Sequence, residues 1–373
     1  MPPYDGGVAS LSDLPLRDDL RGQVPYGAPQ ETVPVALNVN ENTHPIPAAV
    51  AADIVQRLAI ALTAANRYPD RDFTALREDL ASYLGHGLGP QNIWAGNGSN
   101  EVIQHILQAF AGPGRTVLGF TPTYSMYPLI TAGTGARWIG AARADDYTVS
   151  ADRALSAIRE HRPDVLFFCS PNNPTGTHQD LAAIEAAYDA TDGIVVVDEA
   201  YAEFEDAGVA SALTLLAGRP RLAVLRTMSK AFAFAGVRVG YLAGDPAFID
   251  ALRLVRLPYH LSVLTQAAAA GALAHAAEMQ AMVEDIKIQR DRIIRELSAL
   301  GYTPKPSATN FVLFGGVEDP RATFKALLER GVLIRDVGIA GHLRVSAGTE
   351  TETTRFLQAI AELPRSPGPR LET

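Results

Sequence analysis

Four short apolar runs, each followed at once by a polar cluster, constrain this chain more than any other feature. They are Thr116-Val117-Leu118-Gly119-Phe120, Val165-Leu166-Phe167-Phe168, Ile194-Val195-Val196-Val197 and Leu222-Ala223-Val224-Leu225. Runs this short, partly β-branched or aromatic, suit buried strands of a mostly parallel sheet. Segments between them, such as Asp180 to Tyr188, read as crossover helices, so the pattern is α/β. Thr121-Pro122-Thr123-Tyr124 follows the first run and Ser170-Pro171-Asn172-Asn173-Pro174-Thr175-Gly176 the second. Asp198-Glu199-Ala200-Tyr201 follows the third and Arg226-Thr227-Met228-Ser229-Lys230 the fourth. One such cluster alone reads as a turn, because these residue types favour turns. In an open α/β sheet ligands bind outside the carboxyl ends of the strands, so four clusters there converge on one site.

With 373 residues the chain is expected to hold more than one core. Residues 1–37 are rich in Pro, Gly and Asp without sustained periodicity and read as an extended arm. Residues 38–262 carry the four runs and read as a large domain. After Pro258 the pattern changes. Val263 to Leu300 reads as one long helical stretch ended by Gly301. Apolar runs follow at Asn310 to Phe314 and Val332 to Ile334, then an amphipathic helix near Thr353 to Leu363. This patterning predicts a smaller α+β C-terminal domain over residues 263–373. Its proline-containing tail, from Pro364, is expected to be mobile.

The formal charge of −9 argues against broad binding to nucleic acid or anionic membranes, while leaving room for a local basic pocket. The single cysteine, Cys169, excludes an intramolecular disulfide and is expected to be a buried thiol. Met1 to Asp5 lacks the basic start and apolar stretch of a secretion signal. No apolar run is long enough to span a bilayer, and a cytoplasmic protein is the expectation. The eight histidines show no metal-ligand spacing, and His44 and His178 read as loop residues. No metal site is expected. No nucleophile elbow or P-loop occurs.

One further segment carries chemistry. Gly96-Asn97-Gly98-Ser99-Asn100-Glu101 precedes the helical run Val102 to Phe110. Glycines admit close backbone approach, Ser99 or Asn100 can cap the helix, and its free N–H groups can hold a phosphate. Alone, this is also what an ordinary capped helix looks like.

Taken together, Ser170 to Gly176, Asp198 to Tyr201, and Ser229-Lys230 with Arg238 eight positions on are similar to the motifs of fold-type-I aminotransferases. Those enzymes use pyridoxal 5'-phosphate. More narrowly, the chain resembles the histidinol-phosphate aminotransferases of the actinobacterial kind, from about Leu14 to the last helix. Thr227 to Phe232, Leu333-Ile334-Arg335-Asp336 and Asn66-Arg67-Tyr68-Pro69-Asp70 are especially specific. Thr43 stands where that family usually has proline, and Thr353 where asparagine is frequent.

The resemblance implies a fold-type-I architecture, a homodimer with shared active sites, and transamination between histidinol phosphate and 2-oxoglutarate in histidine biosynthesis. It implies that Lys230 links covalently to the cofactor and moves the proton during transamination, which needs a neutral amine. Asp198 would meet the ring nitrogen and favour its protonated form. Asn173 and Tyr201 would hold the phenolic oxygen, and Tyr124 would stack on the ring. Ser99, Asn100, Ser229 and Arg238 would hold the phosphate, with Tyr68 reaching it from the neighbouring subunit. Arg344 matches the grip on an α-carboxylate and Arg335 the second cationic position. Tyr26 would fold over the substrate. An aromatic-amino-acid aminotransferase shares every cofactor residue and stays open here. So do a decarboxylase of a phosphorylated amino acid and a cofactor-binding regulator, although the short arm and acidic chain speak against the last.

Overall fold

The computed structural model describes residues 10–364. Its strands are β1 (Val35–Ala36), β2 (Ile93–Gly96), β3 (Thr116–Thr121), β4 (Arg137–Ala142), β5 (Val165–Cys169) and β6 (Ile194–Asp198). They continue with β7 (Leu222–Thr227), β8 (Gly240–Gly244), β9 (Thr303–Pro304), β10 (Phe311–Gly315), β11 (Val332–Leu333) and β12 (Leu343–Ser346). The four apolar runs are β3, β5, β6 and β7, the inner part of a seven-stranded sheet ordered β2-β8-β7-β6-β5-β3-β4. All pairs are parallel except those of β8, which runs antiparallel to β2 and β7. Every residue of β5 and β7 is buried, as strands covered on both faces require.

This order puts the chemistry in one place. From β3 the chain moves outward to β4 and then crosses back to β5 on the other side of β3. The switch point between β3 and β5 is where open α/β sheets bind ligands. The two loops there are tied together: Thr123 donates to Asn172 Oδ1 at 3.0 Å, and Asn172 Nδ2 donates to the Pro122 carbonyl at 3.1 Å. Crossover helices cover the sheet. Leu181–Ala190 is one, capped by Asp180, whose carboxylate accepts from the Ala182 N–H at 3.0 Å.

The C-terminal part holds a second, antiparallel sheet ordered β12-β10-β9. The arm ends there too, because Val35 and Ala36 pair in parallel with Val332 and Leu333. The helical stretch read as continuous from Val263 is two helices, Val263–Ala274 and Ala276–Ala299, parted at His275. The break has a packing cause. The first helix lies against Ala48–Leu62, so closely that a side chain at Gly271 would press on Ile54. The second packs on the last helix and on β9 and β10. The last helix, Glu350–Ala361, starts three residues earlier than its periodicity suggested, because Thr349 and Glu352 form a reciprocal capping box. Thr43 and Thr353, the two departures from the family pattern, both meet this helix start. Thr43 Oγ1 accepts from the Thr349 N–H at 3.1 Å, and Thr353 is fully buried in the first turn.

The tail expected to be mobile lies outside the described residues apart from Pro364. Among the described residues no helix is long and apolar enough to cross a membrane, and no cluster of three or more His, Cys, Asp or Glu could hold a metal ion.

Candidate active site

A cavity of about 510 Å³ opens at the carboxyl ends of the parallel strands, a size typical of small-molecule sites. Tyr26, Ser99, Asn100, Tyr124, Asn173, Asp198, Tyr201, Ser229, Lys230, Arg238, Arg335 and Arg344 all line it. Tyr68 does not; it is 80% exposed and stacks on Tyr259 at 4.5 Å between ring centroids.

At one end β2 runs into Gly98, the N-cap of helix Ser99–Phe110. Ser99 and Asn100 do not cap this helix, contrary to the sequence reading; they are its first residues and no side chain caps it. The first-turn N–H groups of a helix have no helical partners and favour an anion. Gly98 has φ +83°, and a side chain there would collide with the Arg238 guanidinium, so glycine is what lets the arginine close over the loop. Arg238 Nη1 also reaches Ser229 Oγ at 3.5 Å. This end is an anion cup.

At the rear lies Asp198, the last residue of β6 and only 3% exposed. Burial pushes its carboxyl up to about 6, against the opposing effect of two donors. These are the Tyr127 hydroxyl, 2.7 Å from Oδ2, and the Ala200 N–H, 3.2 Å from Oδ1. Tyr127 is fully buried and stacks on Phe167 with centroids 4.7 Å apart. The Cys169 thiol is buried, as expected, and burial pushes it up to about 12, so it stays protonated.

On the floor, Lys230 Nζ donates to the Val39 carbonyl at 3.2 Å. Burial, reinforced by the positive charges of Arg344 and Arg238, lowers its amine to about 8. The neutral amine is therefore reached much closer to neutral pH than for an ordinary lysine. Tyr201 is buried beside it, and its hydroxyl accepts from Asn40 Nδ2 at 2.9 Å. Asn173 Oδ1 accepts from Arg344 Nη1 at 2.6 Å.

At the mouth, Arg335 and Arg344 face each other across an antiparallel bridge, each N–H bonded to the other's carbonyl at 2.9 Å. Arg344 is 7% exposed, and its buried Nε has no partner. Burial and Arg335 together lower its guanidinium to about 10, so it remains charged. Arg335 lies 5.9 Å from the centre of the Tyr26 ring.

Sequence reasoning missed Tyr127, Asn40 and Glu41, the last also on the cavity wall. Asn38 to Asn42 is a polar cluster following a short apolar run, the same signal that marked the other four strand ends. A boundary drawn between 37 and 38 divided it. For Tyr127 the only signal was its spacing of three from Tyr124.

The arrangement combines an anion cup, a buried carboxylate, an amine near neutrality and a pair of cations around one cavity. The aminotransferase class I and II family matches residues 32–360, and the chain belongs to that family. Its relatives narrow the class. The chain is 60% identical to the histidinol-phosphate aminotransferase of Paenarthrobacter aurescens over 356 residues, 95% of this chain and 96% of that protein. It is 57% identical to that of Frankia casuarinae, with 93% and 89% of the two chains covered. Among solved structures, the histidinol-phosphate aminotransferase from Sinorhizobium meliloti in complex with pyridoxal-5'-phosphate matches with a TM-score of 0.81 at 27% identity. The match covers 88% of this chain and 90% of that one.

Proposed function

We infer that this protein is a pyridoxal 5'-phosphate-dependent aminotransferase acting between histidinol phosphate and 2-oxoglutarate, giving imidazole-acetol phosphate and glutamate in histidine biosynthesis. The observation that carries the substrate choice is the 60% and 57% identity to histidinol-phosphate aminotransferases over nearly the whole chain; the paired Arg335 and Arg344 supply the second anion grip that such a donor and a dicarboxylate co-substrate need. One grip suffices for phenylalanine; a phosphorylated donor or a dicarboxylate co-substrate uses another. The relatives named above favour the same reading over an aromatic aminotransferase.

The residues present fit the cofactor. Gly98 leaves the space that Arg238 occupies over the cup, Asp198 supplies a buried carboxylate for a cationic ring nitrogen, and the amine of Lys230 is lowered. When bound, the cofactor supplies the electron sink that lets the substrate Cα lose its proton. In our reading the amine of Lys230 would hold the cofactor and would take and return the proton at the substrate Cα. Asp198 keeps the ring nitrogen protonated, and Tyr124 stacks on the ring. Asn173 and Tyr201 hold its phenolic oxygen. Ser99, Asn100, Ser229 and Arg238 hold the phosphate. Arg344 grips the α-carboxylate of glutamate, Arg335 grips the distal anion, and Tyr26 folds over the substrate.

A homodimer belongs to this reading, with Tyr68 serving the partner's site. Its exposure outside its own cavity, stacked on Tyr259 of a segment that also carries the exposed apolar Leu254 and Leu257, supports it. The division into an arm (1–37), a large domain (38–262) and a small domain (263–373), and a cytoplasmic location, are parts of the same proposal. The packing of Val263–Ala274 on Ala48–Leu62 favours counting that helix with the large domain.

The decisive assay offers histidinol phosphate and phenylalanine as competing amino donors. Histidinol phosphate is expected to win by a wide margin in kcat/KM; a preference for phenylalanine would transfer the protein to the aromatic enzymes. For the dimer, Lys230→Ala and Tyr68→Ala chains are reassembled into mixed dimers. Recovery of activity is expected, since one site then has both residues intact; verified mixed dimers without recovery refute sharing.

A further inference from the structure

A phenol has one proton to give, and an amide has one acceptor and one donor end. What binds these groups from behind therefore decides what they offer in front. Behind Tyr201 stands Asn40, 2% exposed, with φ 56°, a left-handed conformation that asparagine tolerates. Its backbone N–H donates to Ser346 Oγ at 3.0 Å, and its carbonyl accepts from Asn310 Nδ2 at 3.0 Å. The Ser346 hydroxyl, 1% exposed, in turn gives its proton to Asn40 Oδ1 at 3.2 Å. That sets the amide. The opposite setting would point Nδ2 at Ser346 and strip that buried hydroxyl of its acceptor, a costly arrangement. Asn40 Nδ2 is thus the donor to the Tyr201 oxygen, at 2.9 Å.

With that lone pair occupied, the phenol proton must point elsewhere, and the cavity is open in front of it. Asn173 is treated alike, since Arg344 Nη1 takes its Oδ1 at 2.6 Å and leaves its amide N–H groups as donors. Two side chains from different strand ends are each committed, from behind, to donate forward.

We propose that Asn40 is a positioning residue that turns the Tyr201 proton into the cavity, toward the phenolic oxygen of the bound cofactor. The inference rests on the aminotransferase reading and adds a residue to it. Two fixed donors favour the anionic form of that oxygen, and the pKa of the bound chromophore falls as a result. The charged groups that share the cavity with Tyr201 and Lys230 are Arg344, Arg335, Arg238, Asp198, Asp336 and Glu41, and Asn40→Gly removes none of them.

The test is the absorption spectrum of the cofactor-loaded protein against pH, for wild type, Asn40→Gly, Tyr201→Phe and the double variant. Glycine keeps the left-handed backbone while removing the amide. Asn40→Gly is expected to raise the chromophore pKa by about one pH unit, the size of a lost hydrogen bond to an anion. In the Tyr201→Phe background the same change is expected to add nothing. An unchanged pKa in Asn40→Gly, or an equal rise with and without Tyr201, overturns the proposal. Should Asn40→Gly fail to fold, Asn40→Asp reads the same coupling. Its carboxylate takes the Tyr201 proton, so the pKa rises more with Tyr201 than with phenylalanine; equal rises overturn the idea. A wild-type protein that binds no chromophore would instead sink the aminotransferase reading, a distinguishable failure.

Discussion

Asp198 and Arg335 line one cavity and are held in opposite ways. Asp198 ends a strand that is paired on both sides, is 3% exposed, and has donors on both oxygens. Arg335 lies on a segment tied by one isolated bridge, is partly exposed, and has the half-exposed ring of Tyr26 for its neighbour. The rear of the site is built before anything binds, because a buried carboxylate is costly unless its surroundings are in place. The mouth is assembled from the arm and from the C-terminal part, where Arg335 and Tyr26 are partly exposed while Arg344 is buried and bonded to Asn173 Oδ1 and the Asn38 carbonyl. In the proposed function, reaction chemistry belongs to the first region and substrate choice to the second.

The largest effect that can break this division is at Lys230, on the rear side. Lys230→Ala is expected to lower transamination by at least about a thousandfold, for every donor alike, since a proton-transfer group is lost. Borohydride reduction of the wild type should fix the cofactor on the peptide carrying Lys230. A label elsewhere, or near-normal turnover of the variant, would place the chemistry somewhere else.

The mouth should discriminate where the rear does not. Removing one partner of a buried charge contact costs about 2–5 kcal/mol, which is roughly thirtyfold to several thousandfold in kcat/KM. Arg335→Ala is expected to lose that much toward histidinol phosphate and glutamate while leaving phenylalanine almost untouched. Arg344→Ala should weaken glutamate and phenylalanine most, because histidinol phosphate has no α-carboxylate. It should also cost every donor something, since Asn173 loses the group that orients it. Uniform losses for all three substrates with Arg335→Ala would erase the distinction between mouth and rear.

The smallest effect concerns the cost of building the rear. The Asp198 carboxyl goes from 3.8 to about 6 on burial. The folded state therefore binds its proton more tightly than the unfolded state. For the cofactor-free protein, stability is expected to fall as pH rises from about 4 to about 6, and the penalty is then fully present, about 3 kcal/mol. Cofactor-free Asp198→Asn should be more stable than wild type at pH 7, with the difference vanishing toward pH 4. Denaturant titrations at the two pH values measure it. A variant less stable than wild type at pH 7 would mean that the buried carboxylate is already compensated without the cofactor.

Much of the rear was readable from the chain. Lys230, Asp198 and Asn173 each follow a run of apolar residues that could only be a buried strand, and nearest neighbours in sequence report that directly. The mouth was readable mainly through family resemblance: Arg335 and Arg344 stand beside short apolar runs, but an arginine there is also what an ordinary surface strand carries. The single helix expected from Val263 was two, since periodicity records which face is apolar but not that the packing partner changes at His275. Ser99 and Asn100 were expected to cap a helix that Gly98 begins instead.

The sequence by itself determined the strands, their polar ends and the class of chemistry, because each depends on residues adjacent in the chain. Tertiary structure alone decided which groups orient those ends. Tyr127 reaches Asp198 across 71 positions, Asn40 reaches Tyr201 across 161, and Arg344 reaches Asn173 across 171. The direction of a hydrogen bond depends on which other bonds its partners already make, and those partners meet only when the strands are side by side.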